Sequence, residues 1–151
     1  MFLYSHIMNP AQILPVVTSS ADEKDLKEVL RLAKSFDLDL EETEQGQFIV
    51  AKKENTIAGF GRLRKYDACT EIATVGVLPE ERNRGVGSAI VKELIRRGPS
   101  EIFVTCVIPG FFSKFGFTSV KEYPAILQKK VDFCKLYDFK DDQIFVMRYQ
   151  K

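Results

Sequence analysis

Residues 79 to 95 read PEERNRGVGSAIVKELI, so two arginines and two glycines share one turn ahead of a helical pattern. These residue types suit an anion. A turn between a strand and a helix leaves the first amides of the helix without backbone partners. Those amides and the helix dipole together attract negative charge. Gly85 and Gly87 carry no Cβ, so a ligand can approach the backbone closely. Arg82 and Arg84 add fixed charge, with forked donors that match phosphate oxygens. Three readings fit: a bare structural turn, a nucleotide-phosphate loop, or a grip on another phosphorylated ligand. The commoner nucleotide loops do not match. A dinucleotide-binding turn needs a third glycine where Ile90 stands, and a Walker loop needs a lysine where Gly87 precedes Ser88.

Other chemistries have little to work with. The only histidine is His6, so a His-based triad or a His-rich metal site is not expected. Cys69, Cys106 and Cys134 are odd in number and too widely spaced for a CxxC-type metal site. They read as free thiols in a reducing cytoplasm, and no metal is expected. Lys plus Arg total 22 against 21 for Asp plus Glu, a formal net charge of +1. That balance leaves no electrostatic footprint for nucleic acid or for an anionic membrane surface. No run approaches the roughly 20 apolar residues of a membrane span. MFLYSHIM lacks the basic start and long apolar core of a signal peptide, and Met8 could serve as the start as well as Met1. A cytoplasmic location is expected.

A single domain must position the turn. At 151 residues, 45% hydrophobic, the chain can bury one sizeable core. ILPVV (13–17) reads as a short edge strand because of Pro15. Residues 19–36 read as a helix: Leu26, Val29, Leu30 and Ala33 keep helical spacing, and Ser20 with Glu23 has capping-box spacing. Residues 47–53 and 56–66, joined by Glu54-Asn55, read as a β-hairpin. Strands are expected at 71–78, 101–108 and 143–150, and helices at 85–97 and 125–137. PGFFSKFGF (109–117) reads as one short helical turn, with TSV extending away from it. The order implies an α/β (α+β) domain with a mixed, mostly antiparallel central sheet flanked by helices. Residues 13–151 are assigned to it and 1–12 to an N-terminal extension.

VLPEERNRGVGSAIV resembles motif A of the GCN5-related N-acetyltransferases (GNAT), Q/R-x-x-G-x-G/A, here Arg82-Asn83-Arg84-Gly85-Val86-Gly87. GFFSKFGF is similar to the family's motif B, F-[FY]-x-[KR]-x-G-F, and the element order agrees from about residue 13 to residue 150. The resemblance implies that the turn and Ser88 hold the pyrophosphate of acetyl-CoA as cosubstrate. It implies that Val75-Gly76-Val77 pairs with the pantetheine arm and that Phe112 lies beside it.

Acetyl transfer from a thioester to an amine then sets three demands. The amine must lose a proton, although its pKa is near 10. The resemblance puts Glu71 in that role, because it stands 11 residues before Arg82, where the histone-acetylating branch has its catalytic glutamate (82 − 71 = 11). Otherwise Glu71 is a solvated charge at the strand end. The tetrahedral oxyanion needs a donor, and a backbone amide in Val75-Gly76-Val77, freed by a bulge that Gly76 would mark, is the family's expectation. The departing thiolate can accept a proton, but Phe112 stands where many relatives have a tyrosine acid. Ser113, Tyr123 or water could replace it, or no acid is used. Cys106 could form an acetyl-enzyme, against the plainer reading of a buried strand cysteine.

The acceptor is expected to be a small primary amine. The layout after residue 109, with Pro124 and Met147-Arg148, resembles amino-acid acetylators such as N-acetylglutamate synthase. An amino-acid carboxylate needs a basic partner, and Arg62 and Arg64 alternate on one strand to offer it, unless they form a solvated edge row with Lys65. The alternatives are a protein or peptide lysine or N-terminal acetyltransferase and a non-catalytic acetyl-CoA sensor. A homodimer is the oligomer that the resemblance suggests.

Overall fold

The computed structural model describes residues 15–151. The proposed extension, His6 and the choice between Met1 and Met8 lie outside the described residues. Seven strands form one sheet in the order β1-β2-β3-β4-β5-β7-β6. They are β1 (Val17–Ser20), β2 (Phe48–Lys53), β3 (Thr56–Lys65), β4 (Thr70–Val77), β5 (Glu101–Cys106), β6 (Thr118–Ser119) and β7 (Phe145–Gln150). Only β4 and β5 run parallel. The helices are α1 (Glu23–Ser35), α2 (Val86–Arg97), α3 (Pro109–Ser113) and α4 (Gln128–Lys135). The single α/β domain with a mixed, mostly antiparallel sheet flanked by helices matches the expectation.

Helices cover both faces of the sheet because its strands alternate apolar residues to both. Ile49, Ala51, Ile72, Ile102 and Val104 pack with α2 residues Val86, Ile90, Val91 and Leu94 and with Phe112 of α3. On the other face Phe48, Val50 and Phe60 pack with α1, and Phe103 and Val146 pack with Val131 of α4. Each fully buried aliphatic side chain of the α2 stripe stabilises the fold by about 1.5–3 kcal/mol. Gly59 and Gly61 let α2 sit close on β3: a Cβ on either would lie 2.8 Å from Ile90.

Several boundaries differ from expectation. The edge strand β1 runs over 17–20, so Pro15 precedes it rather than lying inside it. Ser20 is therefore strand, paired with Ile49, and cannot cap the next helix. Asp22 caps α1 instead: the Asp25 amide donates to Asp22 Oδ1 at 2.7 Å, and the Asp22 amide donates to Asp25 Oδ2 at 3.0 Å. The helix expected over 125–137 opens as a 3-10 turn, Ala125–Leu127, and α4 ends at Lys135, leaving Leu136 and Tyr137 exposed. β5 stops at Cys106 rather than Ile108.

The feature that matters for a ligand lies between β4 and β5. Their ladder holds only Glu71↔Phe103 and Ile72↔Val104. Beyond these pairs β4 loses its parallel neighbour. On its other side, register with β3 shifts between Phe60 and Arg62, so Thr74 and Val75 bulge opposite Gly61. Thr74 carries the turn with φ of 52°, an uncommon left-handed backbone for a β-branched residue. The irregularity thus belongs to Thr74 rather than to Gly76. Gly76 is small for want of room, since a Cβ there would lie 2.5 Å from the buried Phe60 ring.

Candidate active site

The opening between β4 and β5 is a continuous cleft in two parts. The outer part, about 690 Å³, is walled by Val75, Gly76, Val77, Arg82, Asn83, Gly85, Gly87, Ser88, Phe111 and Lys114, among others. The inner part, about 470 Å³, runs from Ala73 and Thr105 to Phe112, Lys130, Phe133, Cys134, Tyr137 and Phe139. Phe36, Leu38, Val75, Ile108 and Phe111 border both.

The outer part gathers positive charge and free backbone donors. Its charged wall residues are Arg82 and Lys114, both cationic. Gly85 caps α2 with φ of 82°, a left-handed conformation that glycine adopts without strain, and the space around it is open. Asn83 also takes positive φ, 62°, so the chain coils tightly into the helix. The first intrahelical bond runs from the Ala89 amide to Gly85 O at 3.0 Å. The amides of Val86, Gly87 and Ser88 therefore have no intrahelical partner. Gly87 faces the cleft, with its nearest neighbour across the gap the Phe111 ring, 3.4 Å from a Cβ placed there. Arg82 is anchored by donating from Nε to Val77 O at 3.1 Å and lies over the Phe36 ring.

Not every expected residue reaches this wall. Val86 is buried beneath the sheet, and Arg84 points outward, 3.9 Å from Glu81. Arg62 and Arg64 do not line the cleft. Arg62 is wholly buried and spends its donors on Thr74 Oγ1, Gln47 Oε1 and the carbonyls of Asp39, Glu41 and Glu42. The loop after α1 folds across β3, and its carbonyls need those donors. Arg64 is spent on Asp39 and Glu42.

Glu71 is fully buried and is not among the residues that line the cleft. It faces the same side of β4 as Ala73, which does line the cleft. Oε1 accepts from the Tyr66 hydroxyl at 2.7 Å, and Oε2 has no protein partner. Burial first, then Glu71, pushes the Tyr66 phenol above its ordinary value, so it stays a donor. Phe112 is buried in the inner wall. The substitutes for a tyrosine acid are engaged elsewhere: Ser113 donates to Gly110 O and Tyr123 to Gln128, and neither lines the cleft. Cys106 lines the cleft, but burial pushes its thiol up to about 11, and burial raises Cys134 as well.

Residues that spacing did not single out complete the inner part. Lys130 donates to Asp39 Oδ2 at 2.6 Å, and Asp39 is nearly buried. Burial opposes ionisation of Asp39, yet Lys130 and the Glu41 amide together hold its carboxyl below the usual range. Thr105 contributes a buried hydroxyl without a protein partner. Lys114 occupies the basic position of motif B, a signal present in the sequence. Asp39, Lys130 and the aromatics near residue 137 lie on a loop and a helix end, where periodicity carries no signal. Among the described residues no group of three or more His, Cys, Asp or Glu could hold a metal, and no helix is long and apolar enough to cross a membrane.

A profile of the Acetyltransferase (GNAT) family matches residues 15–117. An uncharacterized N-acetyltransferase of Chlorobaculum tepidum is 33% identical over 82 residues, 50% of this chain and 53% of that protein. The chain thus spans about half the length of that curated relative. Among solved structures, Rv2747 of Mycobacterium tuberculosis, in complex with CoA and NLQ, superposes with a TM-score of 0.69 at 21% identity. That match covers 89% of this chain and 99% of the other. N-acetylglutamate synthase of Neisseria gonorrhoeae, complexed with coenzyme A and N-acetyl-glutamate, gives a TM-score of 0.73 at 17% identity, covering 91% of this chain and 35% of the synthase. At such identities the likeness is one of fold.

Proposed function

The chain belongs to the acetyltransferase (GNAT) family, and from that premise we propose that it moves an acetyl group from acetyl-CoA to the primary amine of a small, amino-acid-like acceptor. One observation carries the reading: the cleft runs from a glycine turn flanked by cationic residues to an inner chamber between parted strands. Arg82, Asn83, Gly85, Gly87, Ser88 and Lys114 take the pyrophosphate. The pantetheine arm lies along Val75-Gly76-Val77, and its thioester enters the inner chamber near Phe112. Structures of the same fold hold coenzyme A, and one holds N-acetyl-glutamate, which supports both the cosubstrate and the acceptor class.

The neutral amine attacks the thioester carbonyl in a ternary complex. A C–N bond forms, the C–S bond breaks, and the amine proton passes to Glu71 through water entering beside Ala73. A β4 amide freed by the bulge donates to the oxyanion. Coenzyme A leaves as thiolate, since its thiol pKa of about 8.5 needs no acid in the positions of Phe112, Ser113 or Tyr123. Burial pushes the Cys106 thiol up to about 11, which disfavours the thiolate that an acetyl-enzyme route needs.

The test measures acetyl-CoA binding by calorimetry, coenzyme A release with a panel of amines, and intact mass after incubation with acetyl-CoA alone. Micromolar binding, amine-dependent release and an unchanged mass are expected. Binding without release on any amine would leave a sensor. A stable acetyl adduct would replace direct attack with a ping-pong route.

A further inference from the structure

The inner chamber has a chemical character of its own. Its far wall is Phe133, Tyr137 and Phe139. Tyr137 and Phe139 are 45% and 37% exposed, so the apolar wall continues to the surface as a rim. Inside this wall stands one cation, Lys130. Its ammonium carries three donors and gives one to Asp39 Oδ2. Asp39 is engaged on both oxygens: Oδ1 accepts from the Glu41 amide at 2.8 Å, and Oδ2 accepts from Lys130 and from Arg64 at 3.4 Å. The chamber therefore offers an anchored ammonium with unused donors beside an aromatic wall. The acids facing it are Asp37 and Asp39, which disfavour a second negative group on a ligand.

Building on the amine-acetylation reading above, we infer that the acceptor is an α-amino acid with an aromatic or large aliphatic side chain. Lys130 takes its carboxylate, and Phe133, Tyr137 and Phe139 take its side chain. An anchored ammonium binds a carboxylate through short charge-assisted hydrogen bonds. An acidic side chain against the aromatic wall would be desolvated without a partner, because Arg62 and Arg64 are committed elsewhere. A lysine peptide would present no carboxylate to Lys130.

The experiment compares kcat/KM for L-phenylalanine, L-leucine, L-glutamate, 2-phenylethylamine and a lysine peptide, by coenzyme A release at saturating acetyl-CoA. Phenylalanine and leucine should exceed glutamate and 2-phenylethylamine by about tenfold or more. Lys130→Met should bring the phenylalanine-to-phenylethylamine ratio toward one, through KM rather than kcat. Phe139→Arg, a change on the exposed rim that spares the core, should move preference toward glutamate. Preference for glutamate or the lysine peptide, or equal use of phenylalanine and phenylethylamine, overturns the inference while leaving acetyl transfer intact. Acetyl-CoA binding without turnover of any amine defeats the transfer reading and this inference with it.

Discussion

At the residue scale the central group is Glu71, a carboxylate with one oxygen held by Tyr66 and the other without a protein partner. A buried polar atom left open in this way is costly unless water or a reacting group completes it. In the proposed mechanism a water entering beside Ala73, two residues along the strand, is that partner. Glu71→Gln keeps the shape and can still accept from Tyr66, so the fold should hold. It cannot take the amine proton. We expect kcat/KM to fall about 100-fold at neutral pH, in the range for loss of a general base, with partial recovery at high pH as the amine deprotonates unaided. A pH–rate profile parallel to the native enzyme's would remove Glu71 from the chemistry.

At the element scale the cleft depends on two irregularities, the left-handed cap of α2 and the bulge in β4. The cap sets Gly87 and Ser88, whose amides have no intrahelical partner, on the wall of the outer cleft; the bulge turns β4 where its parallel neighbour ends. Gly87→Asp tests the cap. An acidic residue in the first turn of a helix favours the helix dipole, so thermal stability should be little changed. The same carboxylate faces the outer cleft, where the pyrophosphate is proposed to bind, so acetyl-CoA affinity should fall about tenfold or more. Unchanged affinity by calorimetry would mean that the phosphates bind elsewhere.

At the scale of the whole molecule, the loop after α1 is tied to β3 and α4 through Arg62, Arg64, Asp39 and Lys130. The Asp39 carboxyl is held below its ordinary value in the folded state. Its contribution is therefore complete above the unfolded carboxylate pKa of about 3.9 and lost as pH falls through the lower folded value. We expect the urea midpoint to decline below about pH 4, and Asp39→Asn to be less stable at neutral pH with a shallower acid limb. An identical acid limb in the variant would show that other carboxylates dominate.

Much of this was legible in the chain before folding. Hydrophobic periodicity located most of the strands and helices, because the residues that bury a face repeat locally. The glycine turn could be read for its chemistry because its ligands are backbone amides a few residues apart. The cap of α1 was misplaced because Ser20 is claimed by a strand partner 29 residues away, Ile49. The bulge at Thr74, the commitment of Arg62 to loop carbonyls, and the meeting of Asp39 with Lys130 across 91 positions (130 − 39 = 91) left no local signature. The sequence by itself determined most of the elements and the glycine turn ahead of α2, since those follow from local spacing. Only the tertiary structure decided which side chains face the inner cleft, because that depends on how a loop and a helix from distant segments pack against the same strands.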